Sequence, residues 1–182
     1  MQPADLKHAR EHWRWRGADR PPFAVAPGPG QESVWDYPRP PRFEPDLREV
    51  RVLWGPVEVA RTRRAVRVLE TGHPPCFYLP WRDVARHLFQ EAPGSSFCEW
   101  KGPACYWSLI DAERRLRSVA WSYPKPLDGA EMLAECVALY ATALDCRVDG
   151  MPVTPQPGGF YGGWITPELC GPFKGEPGSA GW

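Results

Sequence analysis

Side chains that can carry chemistry crowd into one short stretch, "SSFCEWKGPACYWSL", from Ser95 to Leu109. A thiol at Cys98 and an amine at Lys101 lie three residues apart, with Trp100 between them and Tyr106 beyond. A cation beside a cysteine lowers the pKa of the thiol, and a lysine alone can orient a carboxylate or phosphate. The composition is also that of a β-strand, so the stretch predicts either the wall of a site or a densely packed strand.

A carboxylate ends the apolar row of another predicted strand, "RAVRVLE". Because side chains two residues apart share a face, Val66, Val68 and Glu70 point the same way. Glu70 either emerges into solvent where the strand ends, or is buried with a raised pKa and is a candidate acid or base. His73 follows in the same turn and can share that role.

Aromatic residues mark both strands of a predicted hairpin. The strand that carries Tyr106 is joined to "RRLRSVAWSYP" through "IDAE", a polar turn of hairpin length. Trp121 and Tyr123 share a face of the second strand by the two-residue period. Since both faces of the hairpin carry aromatics, at least one of them must contact something other than bulk water.

The pattern W-x-Y-P-[R/K]-P occurs twice, as "WDYPRP" and "WSYPKP". In an extended chain each copy presents a Trp/Tyr pair, Trp35 with Tyr37 and Trp121 with Tyr123, before prolines fix where the following cation projects. The echo is either a coincidence in a chain rich in Trp and Pro, or it places two ribbons around one pocket, or it is the relic of a duplication.

Composition narrows the classes of protein. With 182 residues, 43% of them apolar, the chain can bury one sizeable core. Its 22 basic and 22 acidic residues cancel, so nucleic acid is not expected as a partner. No run is apolar enough to span a membrane and the N-terminus is unlike a signal peptide, which favours the cytoplasm.

The six cysteines and four histidines form no pattern typical of a metal site. No C-x-x-C pair occurs, and without an export signal the cysteines are expected to be reduced. We therefore expect neither a metal nor a cofactor. The oligomeric state is left open.

The 23 prolines and 10 tryptophans predict short strands and few helices, a mainly β (α+β) fold of compact antiparallel sheets. Short helices are predicted from Asp5 to Trp15 and over "WRDVARHLFQ", whereas "DGAEMLAECVALY" starts as a helix and ends as either helix or strand. We expect an extended Pro/Gly-rich arm with a short helix over residues 1–30, a β-rich core over 31–150, and a Gly/Pro/aromatic segment over 151–182 that wraps the core.

Three motifs, "VLETGHPPCFYLP", "SSFCEWKGPACYWSL" and "AWSYPKP", carry a family resemblance. In this order they resemble the bacterial family of domains of unknown function numbered four hundred and twenty-seven, in its long single-copy form. The flanks "GQESVWDYPRPPR" and "PQPGGFYGGWITPELCGPFKG" extend the resemblance over about residues 20–182. The family pattern has proline where this chain has Glu99, which adds a carboxylate beside the motif.

The resemblance implies a β-tent-like architecture of two sheets, similar to methionine sulfoxide reductase B and cereblon ligand-binding domains. Those relatives hold zinc through paired C-x-x-C motifs, which this chain lacks, so the implied kinship is one of shape. The family also bears a nucleotidyltransferase-like label. The sequence does not support that label, because it has no D-x-D motif and "GGFYGG" lacks the Lys and Ser/Thr of a P-loop.

Two functions follow from these residues. The first is a small-molecule site for an aromatic, cationic or carboxylate-bearing ligand, either binding alone or also performing metal-independent acid-base or nucleophilic catalysis. The predicted catalytic residues are Glu70, His73, Cys98 and Lys101. The predicted ligand-binding residues are Tyr78, Trp100, Tyr106, Trp121, Tyr123, Trp35 and Tyr37. The alternative is a non-catalytic interaction or scaffold module whose segments "RPPF" and "YPRPPR" dock partners.

Overall fold

The computed structural model describes residues 3–182, and the predicted arm's residues 1 and 2 lie outside this range. Within it the chain forms one α-helix, fifteen strands and five short 3₁₀ helices. The helix α1 spans Pro3–Glu11, shorter at its C-terminal end than predicted. The strands are β1 (Glu32–Ser33), β2 (Arg42–Asp46), β3 (Val50–Trp54), β4 (Val57–Thr62), β5 (Ala65–Leu69), β6 (Cys76–Pro80), β7 (Phe89–Cys98), β8 (Gly102–Ile110), β9 (Arg115–Ser122), β10 (Cys136–Leu139), β11 (Asp145–Val148), β12 (Met151–Pro152), β13 (Thr154–Pro155), β14 (Trp164–Ile165) and β15 (Leu169–Cys170). The 3₁₀ helices are Val34–Asp36, Trp81–Asp83, Arg86–Leu88, Glu131–Leu133 and Ser179–Gly181.

These strands confirm the mainly β prediction. Among the described residues the largest sheet has seven strands in the order β2-β5-β6-β10-β9-β8-β7, and all its neighbouring pairs are antiparallel. A second antiparallel sheet has the order β12-β11-β3-β4. The pairs β13-β14, antiparallel, and β1-β15, parallel, complete the sheets of this part of the chain.

Both faces of the seven-stranded sheet are buried along its central strands. Along β6, Phe77 and Leu79 face the core that this sheet shares with the four-stranded sheet. Tyr78, between them, faces a second core on the opposite side, together with Trp121 of β9. The two-residue period of a strand thus divides the side chains between two environments. The second face is the one that matters for the site.

The helix predicted over "WRDVARHLFQ" is wrong. The chain there forms two 3₁₀ turns and then enters β7 at Phe89. Val84 is extended and bridges to Ala60 of β4, while the Ala85 amide donates to the Val59 carbonyl at 2.8 Å. Pairing with a neighbouring strand therefore overrides the helical period of the apolar residues.

The segment "DGAEMLAECVALY" follows the strand alternative, because its second half is β10 in the centre of the large sheet. The stretch from Ser95 to Leu109 is not one strand, since a turn at residues 99–101 separates the end of β7 from β8. This turn makes a hairpin that was not predicted. The predicted hairpin between β8 and β9 is present. Its turn is closed by a hydrogen bond from the Asp111 amide to the Arg114 carbonyl at 3.0 Å.

The segment after β12 contributes to the main core. Trp164 is fully buried, stacks on Phe77 with 5.1 Å between ring centroids, and donates its indole N–H to the Leu139 carbonyl at 3.0 Å. Within residues 3–182 no helix is both long and apolar enough to cross a membrane.

Replacing Trp164 by alanine tests the contribution of this segment to the core. We expect Trp164→Ala to lower the free energy of unfolding by about 3–5 kcal/mol, because it removes a buried indole and leaves a cavity. Phe160→Ala, at a side chain that is 70% exposed, should change the unfolding free energy by less than about 0.5 kcal/mol. Urea titrations followed by circular dichroism give both values. Equal small effects would show that the segment is not part of the stable core.

Candidate functional site

A cavity of about 230 Å³ lies on the second face of the seven-stranded sheet. Its floor is made by side chains of β5, β6 and β9, among them Val68, Tyr78 and Trp121. Two distant parts of the chain add walls, Trp13 from the segment after α1 and the stretch from Phe160 to Gly162. The sheet therefore supplies the base, and segments from both ends of the sequence close the sides.

Lys101 enters the cavity from the turn between β7 and β8. Its carbonyl accepts the Leu127 amide at 3.1 Å, which fixes the turn against the segment after β9. Gly102 follows with φ of 100°, a conformation open to glycine, and a Cβ there would lie 3.2 Å from the Leu127 nitrogen. The local geometry therefore requires glycine beside the lysine.

The Lys101 ammonium is buried, with 9% of the residue exposed. Burial opposes its charge, but Cys98, Glu70, Tyr123 and Tyr78 outweigh this effect and raise the pKa of Lys101 well above its ordinary value. The amine is therefore a cation at neutral pH. A protonated amine is not a nucleophile, so this charge state favours an electrostatic role for Lys101.

Glu70 lies between two cations at the end of β5. Its Oε1 accepts from Arg39 Nε at 3.2 Å, and its Oε2 lies 3.7 Å from Lys101 Nζ. Burial alone would raise the pKa of Glu70, but the cations Lys101 and Arg39 lower it below its ordinary value. The buried alternative for Glu70 is therefore the one observed, whereas its predicted raised pKa is wrong.

Arg39, the cation of the first W-x-Y-P-[R/K]-P copy, contacts the site through Glu70. Its guanidinium donates to the Thr71 carbonyl at 2.8 Å and to the Trp15 carbonyl at 3.1 Å, besides its bond to Glu70. The Trp13 ring covers the same guanidinium at 4.1 Å from the ring centroid. Lys125, the matching cation of the second copy, is exposed, so the two copies are not equivalent.

His73 is neutral and its tautomer is set by Gln156. The Gln156 Oε1 accepts from the Gly163 amide at 3.0 Å, which orients the side-chain amide, and its Nε2 donates to the Lys174 carbonyl at 2.8 Å and to His73 Nδ1 at 3.0 Å. Because Nδ1 is then an acceptor, the ring proton is on Nε2. Burial lowers the pKa of His73 to about 4, against the opposing effect of Glu70.

Aromatic rings make the walls of the cavity. Trp121 donates its indole N–H to the Tyr78 hydroxyl at 3.0 Å and packs against Tyr140 with 4.5 Å between ring centroids. Gly162 lies so close to Trp121 that an added Cβ would be 2.1 Å from the indole ring. Tyr106 is held by a 2.8 Å hydrogen bond with the Ser96 hydroxyl. These contacts fix the rings in defined positions.

Glu99 ties the N-terminal segment to the β7-β8 turn. Its Oε1 accepts the Trp13 indole N–H at 2.7 Å, and its backbone carbonyl accepts from Arg10 Nε at 2.8 Å. The Cys98 thiol lies 3.8 Å from Glu99 Oε2. The carboxylate that departs from the family pattern thus holds Trp13 in place as a wall of the cavity.

The structure brings together eight of the eleven predicted site residues. The residues that line the cavity are Glu70, His73, Cys98, Lys101, Tyr78, Tyr106, Trp121 and Tyr123. Trp100, Trp35 and Tyr37 lie outside this cavity. Trp100 turns toward α1, where Arg10 lies 5.1 Å from its ring centroid, whereas Trp35 and Tyr37 are buried in a third apolar cluster.

Sequence reasoning missed several residues of the site, namely Trp13, Arg39, Cys76, Tyr140, Gln156, Phe160, Tyr161 and Gly162. Most of them come from segments that the sequence assigns to a coil or an arm, where no period predicts a face. The unusual "GGFYGG" was the available signal, because aromatic residues between glycine pairs are rare in a free linker.

Among the described residues no group of three or more His, Cys, Asp or Glu side chains is placed to hold a metal ion.

The fold and the site define a mainly β protein whose large antiparallel sheet carries an aromatic cavity with buried charges. A family model described as a domain of unknown function, DUF427, matches residues 42–150. The chain belongs to this family, which confirms the resemblance seen in the motifs. The match includes the floor of the cavity and Lys101, whereas Trp13, Arg39 and Gln156 lie outside it. No curated protein matches the chain.

The low pKa of His73 predicts a specific pH dependence of stability. Between about pH 6.5 and pH 4 an unfolded histidine binds a proton that folded His73 does not, so stability must fall as the pH is lowered through this window. The loss attributable to His73 is about 3 kcal/mol. Urea unfolding of the wild type and of His73→Gln at several pH values should show this difference in slope.

Nuclear magnetic resonance supplies the direct check, with His73→Gln identifying the resonance. A His73 ring that titrates near pH 6.5 would contradict both its burial and its bond from Gln156.

Proposed function

We propose that this protein binds a small molecule in the cavity beside Lys101. The observation that carries the proposal is the buried, charged ammonium of Lys101 among aromatic walls. Burying a cation costs free energy that an apolar residue of similar size would not cost. A side chain kept at that cost inside a cavity is better explained by a ligand than by packing.

The size of the cavity supports a small ligand. Its volume of about 230 Å³ is below the range of roughly 300–1,000 Å³ that holds drug-sized compounds. A single ring with a short substituent fits this space, whereas a nucleoside triphosphate does not. Aromatic walls around one charged group are typical of sites that stack a flat body and orient it through one polar contact.

The protonation states favour binding over catalysis. Lys101 remains a cation, and the lowered pKa of Glu70 makes this carboxylate a weak base. His73 accepts a proton poorly, because its Nδ1 already receives a hydrogen bond from Gln156 and burial lowers its pKa. The catalytic roles considered for these three residues therefore receive less support than roles in holding a ligand.

The alternative of an interaction module with docking arms has less support. In the segment "YPRPPR", Tyr37, Arg39 and Pro41 are buried within the protein. A polyproline segment that docks a partner needs its side chains free.

We also propose a β-tent-like kinship, which the packing of a seven-stranded sheet against a four-stranded sheet supports. We propose a cytoplasmic location as well, which the six free cysteines support.

A bulky residue placed in the cavity tests the proposal. Cys98 lines the cavity, whereas Cys105, on the neighbouring strand, does not. Saturation-transfer nuclear magnetic resonance with indole and benzamide, two uncharged aromatic probes, should detect binding to the wild type. We expect Cys98→Phe to lose this signal, because the new ring fills the cavity, and Cys105→Phe to keep it. Equal signals from both variants would place the binding elsewhere and refute the proposal.

A further inference from the structure

We propose that the ligand of this cavity carries a carboxylate on a flat apolar body, and that Lys101 holds the carboxylate. The inference rests on the proposed function and adds to it the chemical class of the ligand. The sequence left three classes open, aromatic, cationic and carboxylate-bearing. The hydrogen-bonding groups of the cavity discriminate between them, because donors exceed acceptors.

Lys101 contributes the largest share of this surplus. Its ammonium has three N–H donors. Among the residues that the structure describes, Lys101 forms an ion pair with Glu70, whose Oε2 lies 3.7 Å from the ammonium nitrogen. This distance is too long for a hydrogen bond. No hydrogen bond within residues 3–182 begins at Lys101 Nζ. The cation therefore presents unused donors to the cavity.

The neighbouring polar groups are donors as well. The Tyr78 hydroxyl accepts from Trp121, and within the described part of the chain neither Tyr78 nor Tyr123 donates its own hydroxyl proton to a protein group. The Nε2–H of His73 likewise has no protein acceptor among these residues. Four side chains thus offer protons to the same cavity.

Each of the two carboxylates that the described residues place in the cavity has one oxygen engaged by the protein. Glu70 Oε1 accepts from Arg39, and Glu99 Oε1 accepts from Trp13. The N–H donors of Lys101 have no hydrogen-bonded acceptor among the described residues, so a ligand that brings acceptors is favoured, whereas a cationic ligand would bring further donors and face the Lys101 charge. Of the described residues that line the cavity, Lys101 is the one Lys or Arg side chain, and Glu70 and Glu99 are the two carboxylates beside it. A carboxylate supplies the acceptor that Lys101 lacks with one negative charge, whereas a phosphate dianion would bring a second negative charge close to Glu70 and Glu99.

The aromatic walls of the cavity favour a particular shape for the apolar part of the ligand. Tyr106, Trp121 and Tyr140 are fixed by the contacts described above, and Tyr161 packs edge-on against His73 with 4.6 Å between ring centroids. Preformed aromatic faces favour a planar apolar group, since such a group loses little freedom on binding. The Lys101 end of the cavity is where the carboxylate would lie.

A series of probes with one ring and different head groups tests this inference. The probes are benzoate, benzamide, benzylammonium and phenyl phosphate, titrated by quenching of tryptophan fluorescence and by isothermal calorimetry. We expect benzoate to bind the wild type at least about tenfold more tightly than benzamide, as a charge-assisted hydrogen bond requires, and benzylammonium to bind most weakly.

Three variants assign the preference to the cavity. Lys101→Met should reduce benzoate to the affinity of benzamide, while Lys125→Met, at an exposed lysine, should change neither. Lys101→Arg should restore part of the preference. Tyr123→Phe removes one hydroxyl donor and breaks no hydrogen bond of the described residues. It should weaken the binding of benzoate and leave the binding of benzamide unchanged. This variant replaces Lys101→Met in the test if Lys101→Met does not fold.

The outcomes separate the two proposals. Benzamide or benzylammonium binding as tightly as benzoate would overturn the carboxylate assignment and leave the binding function in place. A benzoate preference that survives in Lys101→Met and Tyr123→Phe would overturn it too. Tighter binding of phenyl phosphate than benzoate would replace a carboxylate with a phosphate ester. If no probe binds the wild type, both the assignment and the binding function fail.

Discussion

The carboxylate of Glu70 is shared by two buried cations, and this shared charge ties together the segments that build the site. Glu70 follows β5, Arg39 precedes β2, and Lys101 lies in the turn between β7 and β8. Buried charges are tolerated only when they are paired, so each of the three groups requires the other two. Without Glu70 the two cations would face each other across a space of low polarity. The pairing therefore fixes the positions of three segments that are distant in sequence.

The large sheet makes this arrangement possible because both of its faces are buried. One face packs against the four-stranded sheet and is purely structural, so the other can carry polar groups without loss of the main core. One step along β6 separates Phe77 of the core from Tyr78 of the cavity. A polar second face must be covered by other segments of the chain. The segment that contains Gly162 covers it closely, because Gly162 lies directly against the Trp121 ring.

Strand periodicity predicted part of the cavity lining, and long-range contacts account for the residues that it missed. The period of two placed Glu70 beside Val66 and Val68, and the structure has all three on the cavity side. The sign of the Glu70 pKa could not follow from that pattern, because it depends on Arg39 and Lys101, whose proximity no local rule reveals. Trp35 and Tyr37 show the same limit. They share the pattern W-x-Y-P-[R/K]-P with Trp121 and Tyr123, yet residues 34–36 form a 3₁₀ turn, whereas Trp121 lies in strand β9.

The groups that face the cavity are held in fixed states by the protein itself. Gly163 orients Gln156, Gln156 sets the tautomer of His73, and Trp121 occupies the acceptor side of the Tyr78 hydroxyl. A donor whose direction is fixed before binding loses little freedom when a ligand accepts from it. His73 Nδ1 is engaged by Gln156 and the pKa of Glu70 is lowered, so these two groups are poorly suited to accept a proton. Fixed donors around a buried cation are therefore consistent with the proposed recognition of an anion.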